Sequence, residues 1–213
     1  MNAFIFLNGN PSSAPFYRKH FESFRHRPDA VICADGGYRL AQQSGIKPDL
    51  VVGDLDSLQD EQIEKGVEIR RYPREKNLSD FELAMQAAVD MAPEKVYVYG
   101  ALGGRIDHEL TNILLLASTR YHAIFIEEGV EIHGIHERLV LRNRKGFLCS
   151  LLALGGPCHV MDMRGFQYAL HDELLHPSSR GLSNTITEDE ATISLKSGSL
   201  IAVVNTPGKT LSA

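Results

Sequence analysis

Two textures of hydrophobic spacing divide the chain near residue 128. Up to that point the short apolar runs "AFIFL", "AVICA", "DLVVG", "KVYVYG" and "AIFIE" alternate with segments of helical period. Runs this short and continuous predict buried strands. In "SDFELAMQAAVDMA" the apolar positions Phe81, Ala84, Met85, Ala88 and Ala92 fall on one helical face. In "RIDHELTNILLLAS" Ile106, Leu110, Ile113, Leu114 and Ala117 do the same, and such a stripe predicts a face turned to the core. Strand and helix in alternation predict a mostly parallel α/β sheet covered on both faces.

From about Val130 the apolar runs shorten and turn residues separate them: "ERLVLRN", "FLCSLLAL", "HVMDMRGF", "ATISLKS" and "SLIAVVN", punctuated by Gly146, Gly155, Gly156, Gly165 and Gly198. That pattern predicts an all-β domain, a small β-sandwich. The expected organisation is therefore an α/β domain over 1–128 followed by a β-sandwich domain over 129–213. "MNAFIFLNGN" lacks a basic leader and reads as a first strand rather than a signal peptide. No run approaches the roughly 18 apolar residues of a membrane span.

Ligands of open α/β sheets bind beyond the carboxyl ends of the strands, so the residues after each apolar run are the candidates for chemistry. "AVICADGG" delivers Asp35 and "DLVVGDLDS" delivers Asp54 and Asp56. If the second stretch stays extended, the period of two points both carboxylates the same way, and a divalent cation relieves their repulsion. Mg²⁺ suits such a pair, because it takes a few carboxylates and leaves positions for substrate phosphates. The plainer reading is a surface turn in which Asp54 caps the local backbone. "REKNLSDFELA" brings Arg74, Lys76 and Asp80 to a helix start, where Ser79 and Glu82 have the spacing of a capping box. "GALGGRIDH" supplies Gly103 and Gly104, whose N–H groups can approach phosphate, followed by Arg105, Asp107 and His108 at a helix N-terminus.

Charge and composition narrow the partners. A net charge of −5 argues against a general nucleic-acid or membrane-surface binder. Cys33, Cys149 and Cys158 read as small core residues of a cytoplasmic protein. His133 and His136 in "HGIHE" lack partners at zinc spacing and read as a solvated turn. "PGKT" at Pro207 to Thr210 has no glycine where a phosphate-binding loop needs one.

Taken together, "ADGGYRL", "PDLVVGDLDS", "KNLSDFELAM", "GALGGRIDH" and "RGFQYAL" followed by "GLSN" resemble, in order and spacing, the motifs of the thiamine pyrophosphokinase family. The resemblance implies a homodimeric enzyme, α/β then β-sandwich, that converts MgATP and thiamine to thiamine diphosphate and AMP. It implies that Asp35, Asp54, Asp56 and Asp80 form the acidic catalytic cluster, with Asp54, Asp56 and Asp80 on the metal. It further implies that Arg74, Lys76, Gly103, Gly104, Arg105, Asp107 and His108 meet ATP, and that Ser183 and Asn184 hold thiamine. The family usually carries Asp where this chain has Asn77. The chain has no Trp, so an aromatic stack on thiamine would fall to Phe166 or Tyr168. Two alternatives share these residues: a D-x-D metal-dependent nucleotidyl- or glycosyltransferase, and a catalytically silent thiamine or nucleotide sensor suggested by Asn77.

Overall fold

The structure is a computed structural model that describes residues 2–9, 12–24, 30–58 and 63–207. The chain divides into two compact units. One comprises Met1–Asn112 and Ala123–Glu128, the other Ile113–His122 and Gly129–Ala213.

The first unit runs β1 (Asn2–Phe6), α1 (Ala14–Glu22), β2 (Ala30–Ala34), α2 (Gly37–Gln43), β3 (Leu50–Gly53), β4 (Glu68–Arg71), α3 (Asp80–Val89), β5 (Lys95–Tyr99), the start of α4 (Ile106–Ser118) and β6 (Ala123–Glu127). Its strands pair in the order β6-β5-β1-β2-β3-β4, every pair parallel. β1, β2, β3 and β6 correspond to the continuous apolar runs and are wholly or almost wholly buried. β4 has no such run. Its "EIRR" is largely exposed and becomes a strand by pairing with β3 at the sheet edge, where charged residues also discourage pairing with another chain. On α3 the expected positions Phe81, Ala84, Met85 and Ala88 are buried, whereas Ala92 lies beyond the helix end, at φ +49°.

The face expected of α4 is corrected. Ile106, Leu110 and Leu114 are 68 %, 55 % and 55 % exposed, while Leu116 and Ala117 are buried. The second half of this helix belongs to the second unit, where Gly134 lacks the side chain that would strike the Leu116 carbonyl 2.6 Å from its Cβ position.

The second unit contains β7 (Val130–Ile135), β8 (Arg138–Arg142), β9 (Leu148–Leu152), β10 (Cys158–Arg164), β11 (His171–Leu175), β12 (Asn184–Thr185), β13 (Glu190–Ser197) and β14 (Leu200–Asn205). They form two antiparallel arrays, β12-β9-β14-β7 and β11-β10-β13-β8. Side chains from both arrays, among them Leu139, Leu151, Met163, Ile193 and Leu200, share one buried cluster. Alternation of buried and exposed positions, clearest in β13, is what a strand with one face on such a core requires.

The expected solvated turn at His133 is overturned. This histidine lies in β7, is 5 % exposed, and approaches Glu131 at 3.3 Å. Arg144 donates to the other oxygen of the same carboxylate at 2.5 Å. All three cysteines are free and buried. Among the described residues no helix is long and apolar enough to cross a membrane.

Candidate active site

The acidic residues gather at the carboxyl ends of β2 and β3 and at the start of α3. Asp35 follows β2 directly, at φ +43°. β3 ends in Gly53 at φ +142°, and a Cβ there would stand 3.2 Å from the Asp35 Cβ and 3.3 Å from Asp80 Oδ1. The missing side chain is what allows these two carboxylates to approach.

Beyond Gly53 the chain does not stay extended. Leu55 takes φ +61° and Asp56–Leu58 forms a 3₁₀ turn, with Asp54 Oδ1 accepting the Asp56 N–H at 3.0 Å. The period-of-two argument for parallel carboxylates therefore fails, and the local turn applies to one oxygen of Asp54. The other oxygen, Oδ2, lies 3.7 Å from the ammonium of Lys76. Asp56 turns outward, 46 % exposed, and pairs with Arg74 at 3.3 Å.

Lys76 is the central cation. Its side chain is only 14 % exposed, and Nζ lies 3.1 Å from Asp80 Oδ1 as well as near Asp54. Asp80 opens α3 behind the capping box of Ser79 and Glu82, both of whose reciprocal bonds form. Burial raises the pKa of Asp80 from its ordinary value; Lys76 opposes the shift, and the carboxylates of Asp35 and Asp54 add to it.

The glycine-rich turn after β5 is braced from α4. Asn112 Nδ2 donates to the Ala101 carbonyl at 2.9 Å, and Gly104 N–H donates to Glu109 Oε1 at 2.6 Å. Arg105 forks onto Asp107 with bonds of 3.1 and 2.6 Å, which holds the Asp107 carboxyl down at about 2.

These elements enclose a cleft of about 410 Å³. Asp35, Arg74, Lys76, Asp80, Gly104, Arg105 and His108 line it. Asp54, Asp56, Gly103 and Asp107 stand outside the lining, the first two joined to it through Lys76 and Arg74. The sequence reading passed over Asn8, Glu109 and Asn112, which also line the cleft. Asn8 follows β1, so the strand-end rule applied to "AFIFLNGN" would have found it; Asn112 sits one helical turn after His108.

The residues fit a divalent cation on one observation in particular: Asp35 Oδ1 is buried and has no hydrogen-bond partner among the described residues. An orphaned buried carboxylate oxygen is costly unless a cation or donor meets it. Among the described residues no three His, Cys, Asp or Glu side chains form a ready-made cage. Mg²⁺ does not need one, since it commonly takes one or two carboxylates together with substrate phosphates.

Ser183 and Asn184 lie in the second unit. Ser183, at φ +57°, donates its N–H to Ser150 Oγ at 3.0 Å. Asn184 is buried and committed to the backbone. Its Oδ1 accepts from Tyr168 N–H at 3.0 Å and Thr185 N–H at 2.9 Å, while Nδ2 donates to the Tyr168 carbonyl at 2.6 Å. Tyr168 itself is 67 % exposed. Of the "PGKT" stretch, 208–210 lie outside the described residues.

Comparison with known proteins converges on one family. The family model described as "Thiamin pyrophosphokinase, catalytic domain" matches residues 21–127, and "Thiamin pyrophosphokinase, vitamin B1 binding domain" matches residues 135–200. The chain is 26 % identical over 185 residues to a thiamine pyrophosphokinase of Bacillus subtilis, covering 82 % of this chain and 86 % of the relative. It is 28 % identical over 210 residues to thiamine pyrophosphokinase 3 of Oryza sativa subsp. japonica, covering 81 % and 77 %. In fold it resembles the crystal structure of the Bacillus subtilis thiamine pyrophosphokinase, with a TM-score of 0.80 at 24 % identity over 97 % of this chain and 99 % of that one. The crystal structure of thiamin pyrophosphokinase from Geobacillus thermodenitrificans gives a TM-score of 0.79 at 20 % identity, covering 99 % and 100 %.

Proposed function

The chain belongs to the thiamin pyrophosphokinase family, and on that premise we propose that it transfers the pyrophosphoryl group of ATP to the hydroxyl of thiamine, giving thiamine diphosphate and AMP. The observation that carries the reading is the pairing of Lys76 with Asp80 in a cleft that Asp35 and Arg105 also line, with Asp54 reached from it through the same lysine. Such a site can offset the charge of a polyphosphate and fix it for in-line attack, which is most of what phosphoryl chemistry asks of a protein.

Enzymes of this family use ATP and a divalent metal. Here the metal would be Mg²⁺, held by Asp54, Asp56 and Asp80 with Asp35 beside them, and it would supply charge neutralisation on the triphosphate. Lys76, Arg74 and Arg105 take the remaining phosphate charge, with Gly103, Gly104, Asp107 and His108 shaping that end of the site. Asp80, whose burial favours its protonated form, is the candidate to accept the hydroxyl proton.

The division of labour we propose puts ATP and metal on residues 1–128 and thiamine on 129–213. In the second part Ser183 and Asn184 build the thiamine site. The protein acts as a cytoplasmic homodimer, and the exposed stripe of Ile106, Leu110 and Leu114 on α4 is the apolar surface that supports association.

Incubation with ATP, Mg²⁺ and thiamine tests the reading. Thiamine-dependent release of one AMP per thiamine diphosphate is expected. Release of ADP would place the attack at the γ-phosphorus and overturn it, and binding of both ligands without turnover would favour a silent sensor.

A further inference from the structure

The glycine-rich turn that should receive phosphate already holds an anion of the chain's own. The Gly104 N–H points at Glu109 Oε1 across 2.6 Å, and the Arg105 guanidinium next to it is occupied by Asp107. Glu109 lines the same cleft as Lys76, Arg105 and His108. It is thus a carboxylate standing among groups that suit a polyphosphate. A phosphate oxygen and a carboxylate oxygen compete for the same backbone donor, and a fixed negative charge beside the site repels the more highly charged ligand more strongly.

We propose that Glu109 is a specificity-determining residue of the nucleotide site: its carboxylate accepts the Gly104 N–H and must be displaced by an incoming polyphosphate. The consequence is selective. Metal-free ATP, carrying its full charge, is penalised more than ATP whose charge a divalent cation has partly cancelled. Glu109 therefore biases the cleft toward the metal-complexed nucleotide. The arrangement differs from an ordinary helix cap in its placement, because the residue that satisfies the N–H also lines the ligand cleft. The inference rests on the reading of this cleft as an ATP site.

Calorimetric titration of the full chain with ATP, in EDTA and again in excess Mg²⁺, tests it. Glu109→Gln keeps an acceptor for Gly104 but removes the charge. It should bind metal-free ATP about 2- to 5-fold tighter than wild type, the scale of a partly exposed charge interaction. The gain should be smaller with Mg²⁺ and should shrink as salt is raised. Glu109→Ala should tighten metal-free binding as well. Unchanged or weaker binding in the folded variants would overturn the proposal, and so would loss of the folded state in both, which would make Glu109 a structural brace. If wild type binds ATP and releases AMP with thiamine but the variants do not tighten, only the role of Glu109 is lost. If no chain binds ATP, the ATP-site reading falls with it.

Discussion

Lys76 lies ahead of α3 and Asp80 opens it, the two flanking the N-cap Ser79 with Nζ and Oδ1 separated by 3.1 Å. The capping box aims Asp80 from the first turn of α3, and the lysine just ahead of the helix bends back to meet it. Because the Lys76 side chain is mostly buried and also reaches toward Asp54 at 3.7 Å, one ammonium offsets two carboxylates that would otherwise repel.

Replacing Lys76 by Met removes that offset while retaining the length and apolar contacts of the stem. Turnover should fall about 10²- to 10³-fold, the usual cost of losing a preorganised charge stabiliser. Steady-state assay alongside circular dichroism checks this; near-normal turnover in a folded Lys76→Met chain would remove the lysine from the chemistry.

Gly53→Ala should damage activity more than the fold. The residue sits at φ +142°, and the added methyl would press on Asp35 and on Asp80 Oδ1. Strain of this kind costs about 1–3 kcal/mol, and relief requires moving one of the two carboxylates. Urea denaturation and kinetics on the same variant separate the two effects. A chain destabilised within that range but fully active would mean the spacing of Asp35 and Asp80 is unimportant.

For Asn184 the expected defect is one of shape. Three hydrogen bonds tie its amide to Tyr168 and Thr185. Truncation to Ala removes all three partners from the partly buried Tyr168 and Thr185 backbone groups, at about 1–3 kcal/mol. The KM for thiamine should rise and that for ATP should not. A larger rise for ATP would place thiamine elsewhere.

Glu131 should contribute a pH-dependent part of stability. Burial works against its ionisation, yet hydrogen bonds from His133 and Arg144 prevail and depress the pKa from 4.5 to about 2. A carboxyl depressed in the folded state stabilises above its unfolded pKa and loses that contribution as pH falls through the folded one. The stability difference between wild type and Glu131→Gln should thus be full at pH 7 and should shrink between pH 4.5 and about 2. Denaturation series at pH 7 and pH 3 measure it. A difference that does not change with pH would show that the carboxylate is not held ionised by these partners.

By itself the sequence determined the features whose causes are local or periodic. β1, β2, β3 and β6 are legible because a strand buried on both faces must be apolar throughout. The Ser79–Glu82 cap is legible because its bonds close within four residues, and Asp35, Asp54 and Asp56 stand out as candidates because they follow strand ends. Tertiary structure decided what depends on distant neighbours. β4 is polar and is a strand through its pairing with β3, and His133 is buried within β7, a strand that pairs with β14 far along the chain. Spacing alone marked Ile106, Leu110 and Leu114 as a stripe, but periodicity identifies a face without saying what covers it. The turn at Leu55 sent Asp54 and Asp56 to different partners, since one backbone angle redirects every side chain after it. Glu109 was silent in the sequence for the same reason: only the fold brings its carboxylate to the Gly104 N–H.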